Sequence, residues 1–199
     1  MTARLCRYAI LAALVSILAA APAMARGPLG LGDIFELEGV SDPRISPDGD
    51  RVVYVRSGAD VMTDSRFSNL WLVGSDGSRH RPLTTGEHSI GAPRWSPDGD
   101  RLAYLSDEGD STQLYVRYMD TGQVLRVTNL TEAPSQPAWS PDGRWIAFAK
   151  LEPAEPRRIG PWPSPPKGAE WAEPARVVER LPYRFDQVGY LQPGYWHWY

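Results

Sequence analysis

The tetrapeptide Ser-Pro-Asp-Gly occurs three times, at Ser46-Pro47-Asp48-Gly49, Ser96-Pro97-Asp98-Gly99 and Ser140-Pro141-Asp142-Gly143. Proline presets φ at about −65° for the second position of a type I turn, aspartate can bond the backbone just beyond it, and glycine accepts positive φ at the exit. Each copy follows a matching lead, Pro43-Arg44-Ile45, Pro93-Arg94-Trp95 or Pro137-Ala138-Trp139. Each precedes a short apolar run, Val52-Val53-Tyr54-Val55, Leu102-Ala103-Tyr104-Leu105 or Ile146-Ala147-Phe148-Ala149. A strand, a bulged turn and a second strand are therefore expected in three copies. Trp95 and Trp139 read as hydrophobic anchors of the fold rather than as ligand contacts.

The first two turns lie 50 residues apart and the next two 44. Periods of roughly 40 to 50 residues holding several short strands are those of β-propeller blades. A four-stranded blade needs a second hairpin in each period, and both complete periods supply one. Asn69-Leu70-Trp71-Leu72-Val73 turns at Ser75-Asp76-Gly77-Ser78 and returns through Arg81-Pro82-Leu83-Thr84. The second copy runs from Gln113 to Met119, turns at Asp120-Thr121-Gly122 and returns through Val124-Leu125-Arg126-Val127-Thr128. Both returns end in a threonine after an apolar residue.

The pattern predicts an all-β chain, a partial β-propeller of four-stranded antiparallel blades with about two and a half blades present. Blades are expected at about 40–85, 93–128 and 137–199, behind a lead segment at 26–39. The third blade is interrupted. Between residues 152 and 174 stand seven prolines, with Trp162 and Trp171 among them. Proline at that density cannot occupy a central strand, so 152–174 is read as a surface insertion. Order resumes from Arg176 to Leu191, and Tyr195-Trp196-His197-Trp198-Tyr199 reads as the start of another strand.

Arg4 and Arg7 precede an apolar run from Tyr8 to Leu18 broken only by Ser16, and then Ala23-Met24-Ala25. That order is the grammar of a secretory signal peptide, here residues 1–25 with cleavage after Ala25, and the run is short for a stable membrane anchor. An exported, periplasmic or secreted bacterial protein is expected. The single cysteine, Cys6, lies before the apolar run, so a disulfide-stapled scaffold is excluded. A net charge of −3 without a basic stripe argues against a nucleic-acid partner.

Motifs that carry chemistry are absent from the sequence. There is no Gly-x-Ser-x-Gly, so no nucleophile elbow. His80, His88 and His197 stand apart, none at metal-ligand spacing, and read as loop or surface residues. Asp107-Glu108-Gly109-Asp110 lacks the alternation of a calcium loop. No catalytic residue, no metal ligand and no cofactor site is assigned, and substrate-binding residues are unknown.

The Asp42 to Gly49 segment, the two Trp-Ser-Pro-Asp-Gly copies and Leu181-Pro182-Tyr183-Arg184-Phe185-Asp186 together resemble the N-terminal propeller of the prolyl oligopeptidase family, in its acylaminoacyl-peptidase and dipeptidyl-peptidase-like branch. The passage from Leu181 to Leu191 is similar to that branch's Tyr-x-x-Asp-Gly-x-Gly-Tyr, with Gln187 in place of the first glycine. The Trp-Ser-Pro-Asp-Gly copies alone are shared with TolB-type envelope propellers. The resemblance implies a propeller that gates access to an α/β-hydrolase domain with a Ser, Asp and His triad, acting on short peptides. None of the triad motifs is matched, so the triad is expected beyond Tyr199. The competing expectation is a non-enzymatic, protein-binding propeller. Incomplete blades bury their faces only against neighbours, so the isolated 199-residue chain is expected to be poorly soluble or to self-associate.

Overall fold

The computed structural model describes residues 30–199 other than 110, 156, 158, 159, 161, 162, 173–175, 180 and 187. The expected leader, residues 26–29 of the lead segment, and Pro156, Pro161, Trp162, Pro174 and Gln187 lie outside the described residues. Two compact units divide the chain, 1–34 and 35–199. A 3-10 helix spans Leu31–Glu36, and just before it Gly30 donates its N–H to the Asp33 carboxylate at 2.8 Å.

The second unit is built of antiparallel sheets. Blade one comprises β1 (Gly39–Ile45), β2 (Arg51–Asp60), β3 (Ser65–Gly74) and β4 (Arg81–Pro82), neighbours in that order. Blade two repeats it with β5 (Ile90–Trp95), β6 (Arg101–Ser106), β7 (Gln113–Tyr118) and β8 (Val124–Arg126). The fold is the all-β, four-stranded antiparallel arrangement that the repeats predict.

In blade three, β9 (Ser135–Trp139) pairs with β10 (Ile146–Pro153), and the next strand in space is β13 (Gly194–Trp198). The terminal aromatic segment is thus the third strand of this blade, with Ala149 opposite Trp198 and Leu151 opposite Trp196. Residues 154–193 form an excursion between its second and third strands. It carries a small hairpin of β11 (Arg184–Phe185) and β12 (Gly189–Tyr190). Alternation of strand direction places the two ends of this excursion, Ala154 and Pro193, on the rim opposite the three Ser-Pro-Asp-Gly turns, alongside the shorter β2–β3 and β6–β7 connections.

The turns are built alike. Gly49, Gly99 and Gly143 have φ of 79°, 76° and 66°, which only glycine adopts without strain. Each donates its N–H to the carbonyl of the turn's serine at 2.9 Å. The serine hydroxyl donates to the aspartate and accepts the N–H of the residue five positions on, Arg51, Arg101 or Trp145. Four residues before each serine the first strand bulges, and Asp42, Ala92 and Gln136 sit there with φ of 45°, 52° and 52°. Proline follows each of them, at a point where a missing N–H disturbs the ladder least.

Blades stack face to face. Val53, Leu70 and Leu72 of blade one share a core with Leu102, Tyr104 and Tyr115 of blade two. Ala103, Leu114 and Val116 of blade two pack with Trp139, Ile146 and Phe148 of blade three. Leu70, Leu102 and Leu114 are fully buried, each worth about 1.5–3 kcal/mol in apolar transfer.

Candidate functional site

Strand alternation sends Val53 and Leu70 toward blade two and leaves Tyr54, Arg56 and Trp71 on the opposite, trailing face of blade one. On blade two the equivalent Tyr104 and Tyr115 stack at 5.7 Å between centroids and are buried, which pushes the Tyr104 hydroxyl up to about 12. On blade one Tyr54 and Trp71, at the same positions, are half-buried, and Trp71 lines a cleft. Its volume is about 310 Å³, and Glu38, Arg56, Phe67, Asn69, Trp71 and Thr84 line it.

The cleft pairs charge with aromatic surface. Arg56 lies 4.5 Å from the centroid of Trp71, and its guanidinium donates to the Glu38 carboxylate. Outside the lining, His80 lies 5.1 Å from Trp71 between ring centroids, with its Nε2 2.6 Å from the Tyr54 hydroxyl. This arrangement can hold an apolar or aromatic side chain, with a paired arginine at the margin. It contains no serine bonded to a histidine, and therefore none of the nucleophile and base geometry of acyl transfer.

A second set of titratable groups lies on blade three. Lys150 pairs with Glu152 at 2.6 Å, the Tyr199 hydroxyl donates to the same carboxylate, and the ammonium stands 5.0 Å from the Tyr199 ring. Glu152 holds the Lys150 ammonium above its usual range, while Lys150 and then Tyr199 hold Glu152 below its own. A lysine base or nucleophile needs the opposite shift, so this network braces the β10–β13 edge.

The sequence-singled residues disperse. His80 and His88 lie in loops, and His197 lies on β13. Asp107 accepts the N–H of Ser89 at 2.6 Å and ties the blade-two connection, while Asp110 lies outside the described residues. Among the described residues no group of three or more His, Cys, Asp or Glu could hold a metal ion. No helix among them is long and apolar enough to cross a membrane. Trp95 and Trp139 pack, half-buried, against the two inter-blade cores as expected of hydrophobic anchors, and each indole N–H also donates across to the preceding blade. Sequence reasoning passed over Glu38, Arg56 and Trp71. The signal was available in the aligned periods, where Arg56 and Trp71 stand against Ser106 and Tyr115.

The profile of the PD40 family, described as a TolB beta propeller domain, matches residues 49–156, just over half of the chain. The chain belongs to the TolB β-propeller family. Within this TolB-type propeller, 115 residues are 42% identical to the "Uncharacterized peptidase YuxL" of Bacillus subtilis (strain 168), covering 57% of this chain and 18% of that protein. The acylaminoacyl peptidase of Pyrococcus horikoshii superposes with a TM-score of 0.56 at 19% identity, over 79% of this chain and 22% of that one. The AtxE2 isopeptidase superposes with a TM-score of 0.52 at 19% identity, over 62% of this chain and 23% of that one. The TolB-type chain thus spans less than a quarter of the length of each of these relatives. Likeness at that identity establishes the shared blade architecture. The propeller that the sequence motifs resemble is the propeller that these peptidases carry.

Proposed function

We propose that this chain is the propeller part of an exported serine peptidase that hydrolyses short peptides, the blades restricting access to an α/β-hydrolase domain carried by the rest of the polypeptide. The observation that carries the reading is the 42% identity to a Bacillus subtilis protein described as a peptidase, across a stretch that is only 18% of that protein. The blade likeness to acylaminoacyl peptidase supports the propeller half of it. Arg4, Arg7, the apolar run and Ala23-Met24-Ala25 support export. In this reading no residue of the chain takes part in bond cleavage. Its contribution is steric.

The test begins with the coding sequence downstream of Tyr199. An in-frame Gly-x-Ser-x-Gly followed by candidate Asp and His is expected, together with chromogenic acyl-peptide hydrolysis by the full-length protein that a serine-directed fluorophosphonate abolishes. The match to a TolB propeller domain favours a second reading, a non-enzymatic periplasmic module that binds other proteins. Further blades running to a stop codon without that motif would sink the peptidase reading and leave the second.

A further inference from the structure

The blades fan outward from their first strands. Successive first strands, β1 with β5 and β5 with β9, lie against one another, while the fourth strands β4 and β8 are exposed throughout. First strands are therefore the ones that line the central channel of a propeller. Blade two is covered on both faces by its neighbours, so what stays accessible along β5 is accessible from the axis. Ile90 and Pro93 are buried there, and Gly91, Ala92 and Arg94 remain partly exposed. At the same distances from the turn serines, β1 carries Ser41, Asp42 and Arg44, and β9 carries Ser135, Gln136 and Ala138.

Charge on this axial wall is unbalanced. Arg94 crosses to blade one and donates to one carboxylate oxygen of Asp42 at 3.1 Å, while Arg44 pairs with the other at 2.6 Å. One carboxylate thus serves two guanidinium groups, and among the described residues no second carboxylate pairs with either. The other arginines of the seams are differently engaged. Arg51 and Arg101 are paired within their own turns, to Asp48 and Asp98, and lie over Trp95 and Trp139 at 4.9 and 4.8 Å. Those tryptophans donate their indole N–H to Arg44 O and Arg94 O at 3.0 Å, which fixes the backbone of the two axial arginines without touching their charged ends. Space stands open beside them. A β-carbon at Gly91 would meet nothing within 4 Å, and the side chains of Ala92 and Ala138 are small.

We propose that Arg44 and Arg94 form an axial anion site that takes a carboxylate of a peptide lying along the propeller axis, either its terminal carboxylate or an acidic side chain. Planar guanidinium groups bind carboxylates through paired N–H donors, and each carries more donors than the contacts with Asp42 use. Two arginines against one aspartate leave a positive charge for the ligand, and Asp42 holds the two guanidinium groups at one place on the wall. Both arginines belong to the seam between blades one and two, inside the stack. The choice of a peptide as ligand rests on the peptidase reading, whereas the site rests on the two arginines.

Fluorescence anisotropy of the full-length protein, inactivated with a small fluorophosphonate, tests it with three labelled peptides: one with a free terminal carboxylate, the same peptide as its amide, and an amide ending in glutamate. Both carboxylate peptides are expected to bind about fivefold more tightly than the neutral amide, the discrimination of a partly exposed ion pair, and to lose that margin at about 1 M salt. The tighter of the two identifies which carboxylate is held. Arg44→Gln and Arg94→Gln are each expected to lower the ratio to about two and the double variant to about one, whereas Ala138→Arg, at the same place on β9, raises it. Melting temperatures of the same variants separate the roles, because a purely structural tie between blades one and two would lower Tm and leave the ratio unchanged. Equal binding of acid and amide, binding of none of the three, or a preference that survives the double variant overturns the proposal. An arginine-dependent preference in a protein that hydrolyses none of the peptides before inactivation defeats the peptidase reading and keeps the site.

Discussion

The guanidinium of Arg101 lies 4.8 Å from the ring centroid of Trp139 and donates to Gly143 O at 3.0 Å, so one side chain of blade two grips the turn of blade three. Asp98 steadies it from its own blade at 3.0 Å. Partly desolvated cation and ring contacts contribute about 0.5–2 kcal/mol, and a hydrogen bond from a charged donor about 1.5–3 kcal/mol. Arg101→Met keeps the aliphatic stem and removes both. It is expected to destabilise the chain by about 1–3 kcal/mol, lowering Tm by about 2–4 °C for each kcal/mol. Calorimetry of Arg101→Met, Trp139→Leu and the double variant checks it. Strict additivity would show that the two residues do not act as a pair.

A second prediction concerns the threonine that ends each complete period. Thr128 accepts the N–H of Leu114 at 2.9 Å and donates to Gln113 at 2.8 Å, as Thr84 does with Leu70 and Asn69. Gln113 is 1% exposed, and also accepts the N–H of Leu130 at 2.9 Å and donates to Leu130 O at 2.7 Å. Removing one member strands buried partners at about 1–3 kcal/mol each. Gln113→Leu is therefore expected to cost about 2–4 kcal/mol despite its added apolar surface, and Thr128→Val about 1–2 kcal/mol. Denaturant midpoints of the two variants check the order, and a stabilised Gln113→Leu would contradict the network.

How much of this was legible in the sequence depended on whether a role fixes a residue type. The turns were legible because Pro47, Asp48 and Gly49 each answer a separate backbone demand that few other residues meet. Thr84 and Thr128 were visible as a recurrence, though their hydroxyl bonds were not. The first-strand bulge was invisible, because Asp42, Ala92 and Gln136 share a backbone conformation and no side-chain property. The seam was half visible, since Trp95 and Trp139 stood out while their partners Arg51 and Arg101 looked like ordinary surface charges. The cleft depended on which face of blade one stays uncovered, and one period alone carries no sign of that.

Acid sensitivity follows from the turns. Asp48, Asp98 and Asp142 are held below their ordinary value of 3.8, first by the hydroxyls of Ser46, Ser96 and Ser140 and then by the N–H groups of Asp50, Asp100 and Arg144. A folded-state pKa below the unfolded one means that the unfolded chain takes up these protons first. The contribution is thus fully present above pH 3.8 and is lost as pH falls through the lower folded values. Urea midpoints are expected to show no contribution from these groups to any change between about pH 5 and 7, and a fall below about pH 4. Ser96→Ala lets the Asp98 value rise toward 3.8 and is expected to shallow that acid limb. An acid limb identical to wild type in this variant would exclude the turns as its source.

The last prediction tests the bulge that recurs without a residue signature. Ala92 has φ of 52° on β5, a conformation in which a β-carbon crowds the following carbonyl at about 1–2 kcal/mol. Branching at that carbon adds to the crowding, whereas glycine removes it at the cost of a more disordered unfolded chain. Ala92→Val is therefore expected to destabilise by about 1–3 kcal/mol, while Ala92→Gly and Ala92→Asn stay within about 1 kcal/mol of wild type. Strand propensity argues the reverse, since valine is favoured in sheets and glycine disfavoured. Chemical denaturation of the three variants separates the two accounts: valine as the most stable would mean that β5 does not bulge at Ala92.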